Sequence, residues 1–172
     1  MAIWQYTFHV IPKCDLEKFY ELREGLIDEE LFDDAIFWKG THVKPEAFKD
    51  IGDVLPKVKS WSNSIIQYGH LESNCFEVLH NMGFAESVSF RIDYTSEYEP
   101  ILAYLLDFTL LNGFSILDED WQLVDDTLQS VKNIIENSSQ KNIYKRLSGE
   151  ADSRGLNFLG DLTNLAQKMR PN

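Results

Sequence analysis

Residues 87–95 read SVSFRIDYT, with Val88, Phe90, Ile92 and Tyr94 alternating against Ser87, Ser89, Arg91, Asp93 and Thr95. A period of two puts one set on each face of a strand, so this segment is expected to have one buried and one polar side. The period then changes. Ser96 can cap a helix, Pro100 suits its first turn, and Asn112-Gly113 supplies a stop, bracketing ILAYLLDFTLL at 101–111. Only Asp107 and Thr109 are polar there, so the helix is apolar nearly all round and is expected at the centre of the fold. FSIL at 114–117 then reads as a short strand returning parallel to 87–95, a right-handed strand-helix-strand crossover.

Working back from this unit, Asn81-Met82-Gly83 breaks the pattern, and Cys75 to His80 pairs naturally with Ser64 to Tyr68 across a turn at Gly69 to Asn74. Near the start, Trp4, Tyr6, Phe8 and Val10 alternate with Gln5, Thr7 and His9, giving a strand that stops at Pro12. Asp15 can cap a helix with Leu16, Phe19, Tyr20 and Ile27 on one face and Glu17, Glu21 and Glu24 outward. AIFW at 35–38 is expected as a short strand, and PEAFKDI begins with proline at a first helical position, Pro45.

Working forward, a helix is expected from Asp125 or Asp126, because Val124, Leu128, Val131 and Ile135 repeat at steps of four, three and four. Ser138-Ser139 breaks and recaps it, KNIYKRL at 141–147 continues as a basic helical segment, and GEADSRG at 149–155 reads as a linker. Leu159, Leu162, Ala166 and Met169 give a terminal helix a weak apolar stripe. The fold class that results is α+β: a single domain over residues 1–148, a mainly antiparallel sheet covered by helices, and a helical C-terminal third. Residues 149–172 are expected to be a linker and helical tail.

A chain of 172 residues is near the size of one domain, and 44% hydrophobic against 26% charged residues is a globular composition. Sixteen basic against 28 acidic residues leave a net charge of -12, which repels phosphate backbones and anionic lipid surfaces. Neither nucleic acid nor a membrane is therefore an expected partner, whereas a basic protein is. The N-terminus lacks a basic stretch followed by an apolar run, and no stretch of about 18 apolar residues occurs. The cytoplasm is the expected compartment, with Cys14 and Cys75 as free thiols.

No catalytic motif stands out. His70, Cys75 and His80 offer zinc-type ligands, but five residues of strand put Cys75 and His80 on opposite faces and a fourth ligand is missing. Cys14 with His9 or His42 would make a thiol nucleophile only if the fold joined them. GxSxG, GxxxxGK[ST] and GxGxxG are absent, so serine-hydrolase chemistry and nucleotide cofactors are not expected. Carboxylate pairs such as Glu29-Glu30, Asp33-Asp34 and Asp125-Asp126 are common in an acidic chain and more often form solvated faces than catalytic dyads. No cofactor, no metal and no enzymatic activity are the resulting expectations.

Acid beside aromatic is the pattern that remains: DEELFDDAIFW at 28–38 and LDEDW at 117–121. One reading is a solubilising surface over buried rings. The other is a docking face in which Asp28, Glu29, Glu30, Asp33, Asp34, Asp118, Glu119 and Asp120 steer a basic partner while Trp38 and Trp121 anchor it.

The segments WQYTFHV, SWSNSIIQYG, SVSFRIDY and LQSVKNIIENSSQKNIYKRL resemble those of small uncharacterised bacterial proteins, including immunity proteins of toxin systems. The resemblance spans about residues 3–148 and carries no diagnostic motif. It implies a cytoplasmic binder that neutralises a cognate toxin. A different class of function, a small enzyme or small-ligand binder, would use a pocket lined by Trp4, Tyr6, Trp61 or Tyr68. A third is a homo-oligomer joined through exposed apolar surface.

Overall fold

A computed structural model describes residues 3–13 and 34–149. The helix expected after Asp15 lies outside the described residues, as does the tail beyond Gly149. The chain is an α+β single domain built on one six-stranded antiparallel sheet. Strand β1 (Gln5–Pro12) is followed by the short helix α1 (Ala35–Trp38), a 3-10 helix (Pro45–Asp53) and strands β2 (Lys57–Val58), β3 (Ile65–Gly69), β4 (Cys75–Asn81) and β5 (Phe84–Asp93). Helix α2 (Glu99–Leu111), strand β6 (Phe114–Leu117) and helices α3 (Leu128–Asn137) and α4 (Ser139–Leu147) complete it. The strand order is β2-β3-β4-β5-β1-β6.

The alternation in 87–95 decides which side is inside. Phe90 pairs with Phe8 on one side and Phe76 on the other, and all three rings are fully buried. Phe90 stacks on both, at centroid distances of 5.1 Å and 6.4 Å. Helices and the 3-10 segment close this face. In the 3-10 helix the buried residues Pro45, Phe48 and Ile51 recur every third position, the period of a three-residue turn. Phe48 sits among Phe76, Phe114 and Trp38 at 5.8, 5.4 and 6.0 Å, and each such pair adds about 0.5–1.5 kcal/mol beyond area burial.

Helix α2 covers the same face with Leu102, Leu105, Leu106 and Phe108. Its polar side differs from the pattern expected: Asp107 is exposed, but Thr109 is fully buried because its hydroxyl donates to the Leu106 carbonyl. Ser96 does not cap the helix either, since its hydroxyl donates to the Asp93 carbonyl and Tyr98 occupies the N-cap.

Strand β6 runs parallel to β5, yet it bonds to β1, which lies between them antiparallel to both. The crossover is thus split. β1 takes the place beside β5 because its alternating Tyr6, Phe8 and Val10 fill the core there.

Two further boundaries correct the sequence reading. AIFW is one helical turn rather than a strand, which sends Phe37 into a small cluster with Ile11 and Leu117 and Trp38 into the main core. Four residues are too few for a period to distinguish the two. Helix α3 starts at Leu128, after Thr127, whose hydroxyl accepts from the Ser130 amide at 3.2 Å; Val124 instead donates its N–H to Ile116 as an extension of the sheet. Ser138 ends α3 and caps α4, as the paired serines predict. No helix among the described residues is long and apolar enough to cross a membrane.

Candidate functional site

Most of the described helices pack on one side of the sheet; α1 also reaches the other, where Phe37 lies with Ile11 and Leu117 on the opposite phase of β1 and β6. On the part of that second face left open by the described elements, β4 contributes Glu77 and Leu79, and β5 contributes Ser87, Ser89 and Arg91. The register sets Glu77 against Ser89 and Leu79 against both Ser87 and Ile65. Together with Leu71 and Trp61 they line a trough of about 350 Å³.

Both ends of the trough are fixed. Leu71 belongs to the β3–β4 turn, which Gln5 holds by donating to the carbonyls of Leu71 (2.9 Å) and Ser73 (2.6 Å), while Trp4 Nε1 donates to Glu72 at 3.3 Å. Gly69 makes that turn possible: its φ is +73°, and a Cβ there would lie 2.3 Å from the Asn74 carbonyl oxygen. Trp61 sits at the other end in the stretch SWSNS, whose serines bond locally: Ser62 N–H donates to Ser60 Oγ and Ser64 N–H to Ser62 Oγ. The ring is 75% exposed.

The floor carries an ion pair, Arg91 to Glu77, with side chains 22% and 15% exposed. Cys75 lies opposite Arg91 and is buried; burial pushes its thiol up to about 11, helped by the Glu77 charge and opposed by Arg91. Such a thiol is a poor nucleophile at neutral pH.

Beside Ser87 the face turns acidic. Ser87 Oγ donates to Asp34 Oδ2 at 2.8 Å, and His9 Nδ1 stands 3.7 Å from the same oxygen. That nitrogen has no hydrogen-bond partner among the described residues. Trp121 packs on the His9 ring at 4.2 Å. Serine, histidine and aspartate are thus adjacent, but wired differently from a hydrolase triad, since the Ser87 hydroxyl is committed to the carboxylate rather than to the imidazole. β5 also lies between two strands, and their ladders occupy the backbone N–H groups that an oxyanion would need.

Among the described residues the two acid-aromatic segments meet at His9, through Asp34 and Trp121, but do not present one exposed acidic surface. Asp28, Glu29, Glu30 and Asp33 lie outside the described residues. Asp34 is buried, 6% exposed. Trp38 is a correction: it is 2% exposed, packs on Phe48 and Phe114, and donates its Nε1 to the Val10 carbonyl, so it anchors the core and not a partner. Asp118 is turned inward, accepting the N–H groups of Asp120 (3.0 Å) and Gln122 (2.8 Å) to tie a tight turn in which Trp121 takes a φ of 57°.

Glu119 accepts the Thr7 N–H at 2.9 Å and the Gln140 amide, closing the edge of β1 beyond the end of β6 and tethering α4. Burial, followed by the neighbouring Asp120 charge, holds its carboxyl above the usual carboxylate range, while the Thr7 hydrogen bond and His9 pull the other way. Asp120 is exposed, and Trp121 is half-buried on His9.

The remaining candidates separate. His70 is exposed, His80 is half-buried beyond a bulge at Leu79/His80, and no group of three or more His, Cys, Asp or Glu that could hold a metal occurs among the described residues. Asp125 accepts from Ser130 Oγ at 3.0 Å, fixing the start of α3. Of the aromatics expected to line a pocket, Trp61 borders the trough, whereas Tyr6 and Tyr68 are buried in the core. Glu77, Ser87, Ser89 and Arg91 belong to the polar phase that the alternation reveals, but their meeting at one trough depends on strand register. Comparison with protein-family models, curated proteins and solved structures finds no match.

Proposed function

We propose that this chain is a non-enzymatic protein-binding module, in its sharpest form an immunity-type inhibitor that neutralises a basic toxin in the cytoplasm, and that it docks through the open face of its sheet. The observation that carries the reading is Trp61, 75% exposed at the rim of a trough with half-exposed apolar neighbours. Tryptophan in such a setting is the residue type most enriched among binding hot spots, and an overall charge of -12 favours a basic partner over an acidic one.

The test uses the product of the reading frame next to this one, purified and titrated against the full chain by calorimetry. A stoichiometric complex is expected, with Trp61→Ala weakening it by on the order of tenfold or more. Absence of any complex, or a Trp61→Ala variant that binds like the parent, overturns the proposal. The trough volume supports a second reading, a small-ligand binder, since about 350 Å³ falls at the low end of ligand pockets. That reading requires Trp61 fluorescence to respond to a small molecule with no protein partner present.

A further inference from the structure

We infer that the trough is a subsite for one arginine side chain of the basic partner, its guanidinium lying on the Trp61 ring and reaching toward Glu77, Ser87 and Ser89. The inference rests on the docking reading above and names the chemistry of that same face. Two observations point the same way. The Trp61 ring borders the trough and is 75% exposed, and an indole face is the best aromatic surface for a planar cation. The polar lining beside it is Glu77, Ser87, Ser89 and Arg91, of which the carboxylate and the two hydroxyls can accept from a guanidinium's fork of donors.

Charge decides between a cation and an anion. Arg91, the one cation in the lining, is paired with Glu77, so the two cancel. Behind Ser87 stands Asp34, with its side chain 8% exposed, and no lysine or arginine among the described residues pairs with it. Asp34 accepts from the Ser87 hydroxyl and faces His9 Nδ1 at 3.7 Å, so the carboxylate behind the trough wall has no permanent cation beside it, and in a partly desolvated recess its field acts at short range with little screening. Lysine would satisfy the charge but would lose the fork and much of the stacking.

The probes are acetyl-Gly-Arg-Gly-amide and its lysine and citrulline counterparts, titrated into the full chain while the amide and indole resonances are followed by NMR. Citrulline keeps the shape of arginine and removes the charge. The arginine peptide is expected to shift Trp61, Ser87 and Ser89 saturably, the lysine peptide to bind at least about threefold more weakly, and the citrulline peptide not to saturate. Trp61→Ala is expected to abolish the shifts, and Asp34→Asn, which keeps an acceptor for Ser87, to weaken binding at least about threefold. Arg91→Gln is expected to tighten it, because Glu77 is then left uncompensated; should that variant fail to fold, Asp34→Asn carries the same sign test.

Equal binding of arginine and citrulline peptides, shifts that map away from the trough, or indifference to Trp61→Ala would each overturn the inference. If the peptides do not bind while the protein partner does so through Trp61, the subsite falls and the docking function stands. If the arginine peptide binds as described and no protein partner does, the docking function falls and the guanidinium site remains.

Discussion

Gly69 and Gly83 both have positive φ, +73° and +83°, but their surroundings differ. A Cβ on Gly69 would meet backbone at 2.3 Å, whereas nothing lies within 4 Å of one on Gly83, which follows Met82 in the two-residue turn joining β4 and β5. Gly69→Ala is therefore expected to cost more than about 2 kcal/mol in chemical denaturation, and Gly83→Asn less than about 1 kcal/mol, since asparagine tolerates the left-handed region. Comparable losses at the two sites would show that the β3–β4 turn can relax. Glu119 offers a pH test. A carboxyl raised on folding binds its proton more tightly in the folded state, so its contribution is complete below the unfolded value of about 4.3 and is lost as pH climbs through the folded value. Glu119→Gln keeps an acceptor for Thr7 and cannot ionise. Its melting temperature, minus that of the parent, is expected to rise between about pH 4 and about pH 7; a flat or falling difference would mean that the hydrogen bonds to Thr7 and Gln140 outweigh burial.

At the scale of elements, α2 separates two kinds of leucine. Leu105 is fully buried and Leu111 is 84% exposed, although the sequence surrounds both with apolar residues. Leu105→Asp would bury an unpaired carboxylate at a cost of several kcal/mol, comparable with the stability of a whole domain, and is expected to abolish cooperative unfolding. Leu111→Asp is expected to change stability by less than about 0.5 kcal/mol. A folded Leu105→Asp protein would show that this helix does not seat the core. The contrast also shows which parts of the fold a sequence can convey. The alternation in 87–95 sets a strand's two faces without reference to any partner, and it reads correctly through Ser87, Ser89 and Arg91. The path of a return strand depends on competition: FSIL has the right direction but bonds to β1, because a distant segment with a stronger apolar phase takes the place beside β5. The candidate site fails to show for the same reason. Trp38 stands beside Asp33 and Asp34 in the chain, which suggests surface, yet one helical turn directs it inward; Trp61, expected only as one wall of an aromatic ligand pocket, stands among serines and asparagine with no acid beside it, and remains outside. Glu77 reaches the trough by strand pairing, and Asp34 comes to stand behind Ser87 by a contact 53 residues long in sequence, neither of which a local pattern encodes.

For the whole molecule the question is what a charge of -12 does, given that self-repulsion of this kind opposes the compact state. Several acids are spent inside the fold: Asp34 on Ser87, Asp118 on its turn and Glu119 on β1. Those cannot steer a partner at contact, but every unpaired charge still adds to the long-range field. Charge and anchor should consequently act on different rates. Fields extend about 10 Å at 0.1 M salt and shrink to about 3 Å at 1 M, so they govern encounter, whereas a desolvated ring governs escape. Association of the full chain with a basic partner is expected to slow by on the order of tenfold or more between about 0.05 M and about 0.5 M salt, with dissociation changing far less. Replacing Asp28, Glu29, Glu30 and Asp33 by their amides removes four of the 28 acids and is expected to lower chiefly the association rate. Trp61→Ala is expected to do the reverse, raising dissociation by on the order of tenfold or more and leaving the salt dependence of association as it was. Surface plasmon resonance at several salt concentrations reads both rates. If salt instead moves dissociation, or if the amide variant and Trp61→Ala alter the same rate, then steering and anchoring are not separate, and the acidic residues would have to touch the partner directly, at a surface other than the trough.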